Sequence, residues 1–246
     1  GSSPPALRAD GTIVVVGGSG EAAAVGDDKN GLRFRTQLSG TPTGEGLDAV
    51  GPLALDDGGV VVATASEIVV LDASGNVRMR APLPEALVGP LMASDGKIVA
   101  VARSGVVYSW SPGGASGLDV SRVGSFQQSP HTQIEGGAAM ASPTSLVAVV
   151  DDARLMTLDL RQGLAVPLAT FQGGGFLGPV AFRRGVAYAM AAVPGHTFVV
   201  GVDSSGQEVL RVPVASSTVI TADGGAPVYA TAPHVHLEDG QLSACV

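Results

Sequence analysis

The stretch IVVLDASGNVRMRAPL, residues 68–83, decides the fold class because it contains every part of a short β-hairpin. Four apolar residues precede an Asp-x-x-Gly turn at Asp72, and alternating side chains follow as far as Pro82. Short apolar runs bounded by Asp and Gly predict strands that are joined by tight turns. The next question is whether this hairpin occurs once or is one copy of a repeat.

Three sequence markers recur in the same order along the chain. The first is a glycine-led apolar strand, and the second is a turn like that at Asp72, which reappears at Asp159 and Asp203. The third is a short segment of the type GPLAL, at Gly51, that precedes a repeat. The first marker begins with the apolar residues Ile13, Val60, Ile98, Leu146, Val186 and Val228. Successive residues in this series are 47, 38, 48, 40 and 42 positions apart.

Each repeat consists of four predicted strands separated by turns. No stretch keeps a 3.6-residue apolar period, so we expect almost no helix. A repeated four-stranded unit of about 40 residues is typical of a β-propeller blade, whereas a β-sandwich would not keep three markers at one period. We predict an all-β protein, a single-domain β-propeller of about six four-stranded antiparallel blades over residues 1–246. The blades are expected at about 4–46, 47–86, 87–132, 133–175, 176–216 and 217–246.

Charge and composition disfavour several classes of function. The net charge is −8, and the 14 Lys and Arg residues are scattered, so no basic patch for nucleic acid is expected. No apolar run approaches the roughly 18 residues that span a bilayer, and no transmembrane segment is predicted. The single cysteine, Cys245, permits no internal disulfide.

The repeats resemble those of the PQQ-like propellers, a broad family that includes the quinoprotein dehydrogenases and an outer-membrane assembly scaffold. An Asp-Gly turn leading into an apolar strand, at Asp95–Val99, and a Leu-Asp turn closed by glycine, at Leu71–Gly75, carry the resemblance best. The tryptophan that typically follows the second turn is missing, since the only tryptophan, Trp110, precedes the corresponding turn. The family's catalytic members use Ca²⁺, PQQ and a vicinal disulfide, which one cysteine cannot form.

The resemblance therefore implies the family's non-catalytic role. We expect a scaffold without cofactor, which binds a protein or peptide partner, belongs to a larger protein or assembly, and lies in an extracytoplasmic compartment. The alternative is a metal-dependent propeller enzyme of the lactonase type. A glycan-binding module is disfavoured because only 4% of the residues are aromatic.

A polar insertion lengthens the connection between the third and fourth repeats, in the sequence FQQSPHTQIEGG. Long connections at the ends of a propeller are where ligands usually make contact. The alternative interpretation is a tolerated surface insertion. We take as the candidate binding loop the residues Gln127, Gln128, His131, Gln133 and Glu135.

Near the C-terminus, His234, His236 and Glu238 alternate along a predicted strand. Residues i and i+2 of a strand share one face, so these three side chains could meet one Zn²⁺ ion. The alternative is the polar face of an outer strand. The pairs Asp27/Asp28, Asp56/Asp57 and Asp151/Asp152 are interpreted as turn residues that cap backbone N–H groups.

Overall fold

The computed structural model of the chain consists of consecutive antiparallel sheets. It describes residues 4–26, 31–41, 50–112, 117–171, 173–214, 234–238 and 241–245, with only the backbone of the last two ranges. No helix occurs in this part of the chain, as predicted. In particular, the described residues contain no helix that is long and apolar enough to cross a membrane.

Five four-stranded sheets follow one another, and in each the strands are hydrogen-bonded in their order along the chain. Sheet 1 contains β1 (Ala6–Leu7), β2 (Ile13–Val16), β3 (Glu21–Val25) and β4 (Leu32–Gln37). Sheet 2 contains β5 (Leu53–Ala54), β6 (Val60–Ala63), β7 (Glu67–Leu71) and β8 (Val77–Pro82). Sheet 3 contains β9 (Leu87–Ser94), β10 (Lys97–Ala102), β11 (Val106–Pro112) and β12 (Leu118–Ser125).

The remaining strands belong to two more such sheets and a hairpin. Sheet 4 contains β13 (Ile134–Ser142), β14 (Ser145–Val150), β15 (Arg154–Asp159) and β16 (Leu164–Thr170). Sheet 5 contains β17 (Gly175–Arg183), β18 (Val186–Val193), β19 (His196–Asp203) and β20 (Glu208–Val214). The hairpin pairs β21 (His234–Glu238) with β22 (Gln241–Cys245). Five predicted blades are thus confirmed as four-stranded sheets, and the structure describes these two strands of the sixth.

The chain divides into two compact units, residues 1–123 and 124–246, with the boundary near the end of β12. The N-terminal unit contains sheets 1 to 3, and the C-terminal unit contains sheets 4 and 5 and the hairpin. The prediction of a single domain stays a prediction.

Sheet 2 is buried on both faces, which explains the uninterrupted apolar sequence of β6. Successive side chains of a strand point to opposite faces. Val60 and Val62 pack in a cluster with sheet 1, and Val61 and Ala63 pack in a cluster with sheet 3. A strand that is covered on both sides has no position for a polar side chain, so all four residues are apolar.

The turn between β7 and β8 joins sheet 2 to sheet 1. The Thr36 hydroxyl on β4 donates a 2.6 Å hydrogen bond to the carbonyl of Gly75 in this turn. Gly75 has a φ of +85°, and a Cβ at this position would lie 2.5 Å from the ring of Phe34. The glycine in the LDASG sequence therefore serves both the turn and the packing of one sheet on the next.

Two of the GPLAL-type segments contain an irregularity in the first strand of a sheet. Gly89 in β9 and Gly178 in β17 both have a φ of +69°, and the strand register shifts at these points. In the C-terminal unit, a Cβ on Gly136 of β13 would collide with the backbone of Gly178 and Pro179 on β17. Glycine thus lets the first strands of sheets 4 and 5 approach each other closely.

Candidate functional site

The connection between β12 and β13, residues 126–133, contains all of the predicted binding loop except its last two residues, which belong to β13. It has eight residues, whereas the connections that lead into sheets 3 and 5, residues 83–86 and 171–174, have four each. The expectation that it is the longest connection between sheets is wrong, because residues 38–52, between β4 and β5, number fifteen. The first residue of the loop, Phe126, is fully buried and its penultimate residue, Thr132, is almost fully buried. The loop is therefore anchored to the body of the protein at both ends.

Side-chain hydrogen bonds hold the backbone of this loop in one conformation. The Thr132 hydroxyl accepts from the backbone N–H groups of Gln128 and Ser129, both at 3.0 Å. The Ser129 hydroxyl accepts from the N–H of His131 at 3.2 Å, and the Ser125 hydroxyl accepts from that of Gln127 at 3.0 Å. Serine and threonine residues thus supply acceptors for donors that a loop would otherwise leave to water.

The predicted residues of the loop project from this scaffold. Gln127, Gln128, His131 and Gln133 are exposed, whereas Glu135 is half-buried at the start of β13. The N–H of Gln133 donates a 2.9 Å hydrogen bond to the carboxylate of Asp151, so the end of the loop is tied to the turn after β14. The structure therefore presents a polar surface of glutamine and histidine side chains on a fixed backbone.

The predicted metal ligands lie on β21. The backbone places His234, His236 and Glu238 on one face of the strand, opposite Cys245, Ser243 and Gln241 of β22. The prediction that they bind a metal stays a prediction, because their side chains lie outside the described part. Among the side chains that the structure does describe, no three His, Cys, Asp or Glu residues form a group that could hold a metal ion.

Two of the Asp-Asp pairs occur in turns, as interpreted from the sequence. The Asp57 carboxylate accepts from the N–H of Gly59 at 2.9 Å and pairs with Arg78. The hydrogen bond from Arg78 and that from the Gly59 N–H lower the pKa of Asp57. Asp151 has a comparable role, since it accepts from Gln133 and pairs with Arg154 at 2.5 Å. The pair Asp27/Asp28 lies outside the described residues.

A cavity of about 360 Å³ lies between sheets 2 and 3 in the N-terminal unit. Its walls are apolar, because the facing strands of the two sheets supply their inward side chains. Trp110 is fully buried in one wall, and the Nε1–H of its indole has no hydrogen-bond acceptor among the described residues. The other apolar wall residues include Val70, Met79, Ile98 and Leu118.

The mouth of the cavity is polar and is formed by two turns at the same end of the neighbouring sheets. The turn after β5 supplies Asp56, the turn between β9 and β10 supplies Asp95, and β10 begins with Lys97. All three residues are exposed. This cavity was not predicted from the sequence, because it depends on which side chains face each other across two sheets.

Among the solved structures that are similar to this chain, two match over most of its length. The crystal structure of BamB from Moraxella catarrhalis matches with a TM-score of 0.59 and 18% identity, and that of the computationally designed protein Ika8 with 0.61 and 14%. The matches cover 85% and 99% of this chain, but the chain spans only 63% of BamB and 67% of Ika8. No family model and no curated protein sequence matches it. With the five consecutive sheets, the structural matches confirm the β-propeller fold.

Proposed function

We propose that this chain is a non-catalytic β-propeller that binds a protein or peptide partner as a scaffold module of a larger protein or assembly. The observation that carries the proposal is the loop of residues 126–133, which exposes Gln127, Gln128 and His131 on a backbone fixed by internal hydrogen bonds. A surface that is already ordered loses less conformational entropy when a partner binds. Such a loop is suited to recognition.

The sequence resemblance supports the same role. PQQ-like propellers include an outer-membrane assembly scaffold, and the fold of this chain is similar to that of BamB. On this basis we propose a PQQ-like repeat, an extracytoplasmic compartment and a protein partner. No observation on the described residues favours the alternative of a metal-dependent hydrolase.

A photo-crosslinking experiment tests this role. A benzoylphenylalanine residue replaces Gln128 or His131 in the full chain, and the crosslinked partner is captured from an extract of the source cells and then purified. The matched control places the same residue at Gln162, which is exposed in the turn after β15. We expect one partner to crosslink at the loop positions and not at the control position.

The affinity of the purified partner for variants of the loop then tests whether the loop forms the binding surface. A variant with Gln127→Ala, Gln128→Ala and His131→Ala keeps Phe126 and Thr132, so its thermal midpoint should not change. Removing these contacts is expected to weaken binding about tenfold or more, as for the central contacts of an interface. Unchanged affinity, with Gln162→Ala as the control, would remove the loop from the binding surface.

A further inference from the structure

We infer that the cavity between sheets 2 and 3 is a second binding site, and that it takes an aliphatic side chain from a basic peptide segment. Its volume of about 360 Å³ lies within the range of roughly 300–1,000 Å³ that is usual for ligand sites. The site uses no residue of the loop at 126–133. The inference therefore goes beyond the proposed role of that loop and can fail or succeed independently of it.

The walls specify the apolar part of the ligand. Val70 and Met79, which pair across β7 and β8, face Ile98 and Leu118 of sheet 3. These are branched or flexible aliphatic side chains, which pack well around another aliphatic group. A polar or charged group at this depth would lose its hydration without finding a partner. A leucine, isoleucine or methionine side chain fits this surface.

The indole of Trp110 lies behind the aliphatic wall of the cavity. Its ring is fully buried, and its Nε1–H, which has no acceptor among the described residues, is not accessible to a ligand in the cavity. A bound side chain therefore changes the surroundings of the indole without forming a hydrogen bond to it.

The charges at the mouth specify the residues that flank the apolar group. Neither Asp56 nor Asp95 has an ion-pair partner among the described residues, whereas the nearby Asp57 is already paired with Arg78. Among the residues that line the cavity, the one cation is Lys97. The excess of negative charge favours lysine or arginine next to the inserted side chain, in agreement with the net charge of −8.

The single tryptophan gives a direct test by nuclear magnetic resonance. A ¹⁵N-labelled sample of the full chain has one indole N–H signal, because Trp110 is the only tryptophan. The probe is the blocked peptide acetyl-Lys-Leu-Lys-amide, titrated at pH 7 and low salt. We expect a saturable shift of the indole signal, because Trp110 lines the cavity and a bound side chain changes its surroundings.

Two further peptides test the charge requirement and the apolar requirement separately. Acetyl-Glu-Leu-Glu-amide has the wrong charge, and acetyl-Lys-Gly-Lys-amide lacks the apolar side chain. We expect each to bind at least fivefold more weakly than the leucine peptide with lysines. No saturable shift with that peptide, or equal shifts with all three, would overturn the inference.

Substitutions of the charged residues at the mouth of the cavity should change the affinity for the peptide in opposite directions. Asp56→Asn together with Asp95→Asn should weaken binding of the lysine-flanked leucine peptide about fivefold, whereas Lys97→Gln should strengthen it about twofold. Raising the salt concentration should reduce both effects, because exposed charges are screened. The matched control is Asp119→Asn, an exposed carboxylate on β12 that does not line the cavity. Equal affinity for all three variants would contradict the assigned role of the charges.

Discussion

Strands β2 and β6 occupy the second position of neighbouring sheets and have closely similar sequences, IVVV and VVVA, yet their surroundings differ. All four residues of β6 are buried, whereas β2 alternates between buried and exposed residues. Val14 and Val16 pack against sheet 2, while Ile13 and Val15 are 46% and 40% exposed. An apolar strand sequence therefore predicts that both faces of the strand are apolar. It does not predict that a neighbouring sheet covers both of them.

Two leucines give the strongest test of this difference. Leu71 on β7 is fully buried between sheets 1 and 2, whereas Leu32 on β4 is 55% exposed. Leu71→Ala should lower the free energy of unfolding by about 2–5 kcal/mol, because it removes buried surface and leaves a cavity. Leu32→Ala should change it by about 0.5 kcal/mol or less. Urea denaturation of both variants makes the comparison, and similar losses would contradict the difference between the sheets.

Two glycines separate backbone strain from packing between sheets 1 and 2. Gly75 and Gly96 both have positive φ, at +85° and +72°, but only at Gly75 would a Cβ collide with Phe34. Gly96→Ala should lower the free energy of unfolding by about 1–2 kcal/mol, because alanine is strained in the left-handed conformation. Gly75→Ala should lower it by about 1–3 kcal/mol more, because the added Cβ also overpacks the contact with Phe34. Equal losses of stability for the two variants in thermal unfolding would show that Phe34 does not pack on this turn.

The carboxylate of Asp72 makes a smaller, pH-dependent contribution to the same turn. It accepts hydrogen bonds from the N–H of Ser74 at 2.8 Å and from the N–H and side-chain amide of Asn76 at 2.9 and 3.0 Å. The side-chain hydrogen bond from Asn76, followed by the backbone bonds, lowers the pKa of Asp72 below its ordinary value of 3.8. The ionised form therefore stabilises the fold above pH 3.8, and this stabilisation is lost as the pH falls through the lowered pKa.

Asp72→Asn tests this sign. The variant should be less stable than the parent protein at pH 7, and the difference should shrink as the pH is lowered below about 4. Denaturant titrations at several pH values make the measurement, with Asp119→Asn as the control for removal of an exposed charge. A difference that stays constant between pH 7 and pH 3 would contradict the pKa shift as its cause.

The repeat was predictable because each of its turns needs particular residues. The hairpin predicted at residues 68–83 occurs as β7 (Glu67–Leu71) and β8 (Val77–Pro82). The Asp-Gly and Ser-Gly sequences mark these boundaries, since positive φ at the turn selects glycine. The position of the exposed loop after β12 was also predictable, since its polar residues interrupt the repeat.

The cavity was not predictable from the sequence. Trp110 and Asp56 are 54 positions apart, and nothing in either local sequence shows that they line one space. From the sequence, Asp56 is a turn residue and Trp110 precedes a turn. Which side chains meet across two sheets depends on the register and spacing of both sheets, and local patterns do not contain this information.

Amide hydrogen exchange across the whole chain tests the repeated four-stranded sheet most directly. The two central strands of each sheet are hydrogen-bonded on both edges, whereas the fourth strands, β4, β8, β12, β16 and β20, are edge strands of their sheets. Slow exchange should therefore recur in the central strands about every 40 residues, and each fourth strand should exchange faster. Protection that shows no such period, or fourth strands that exchange as slowly as the central strands, would contradict the blade architecture.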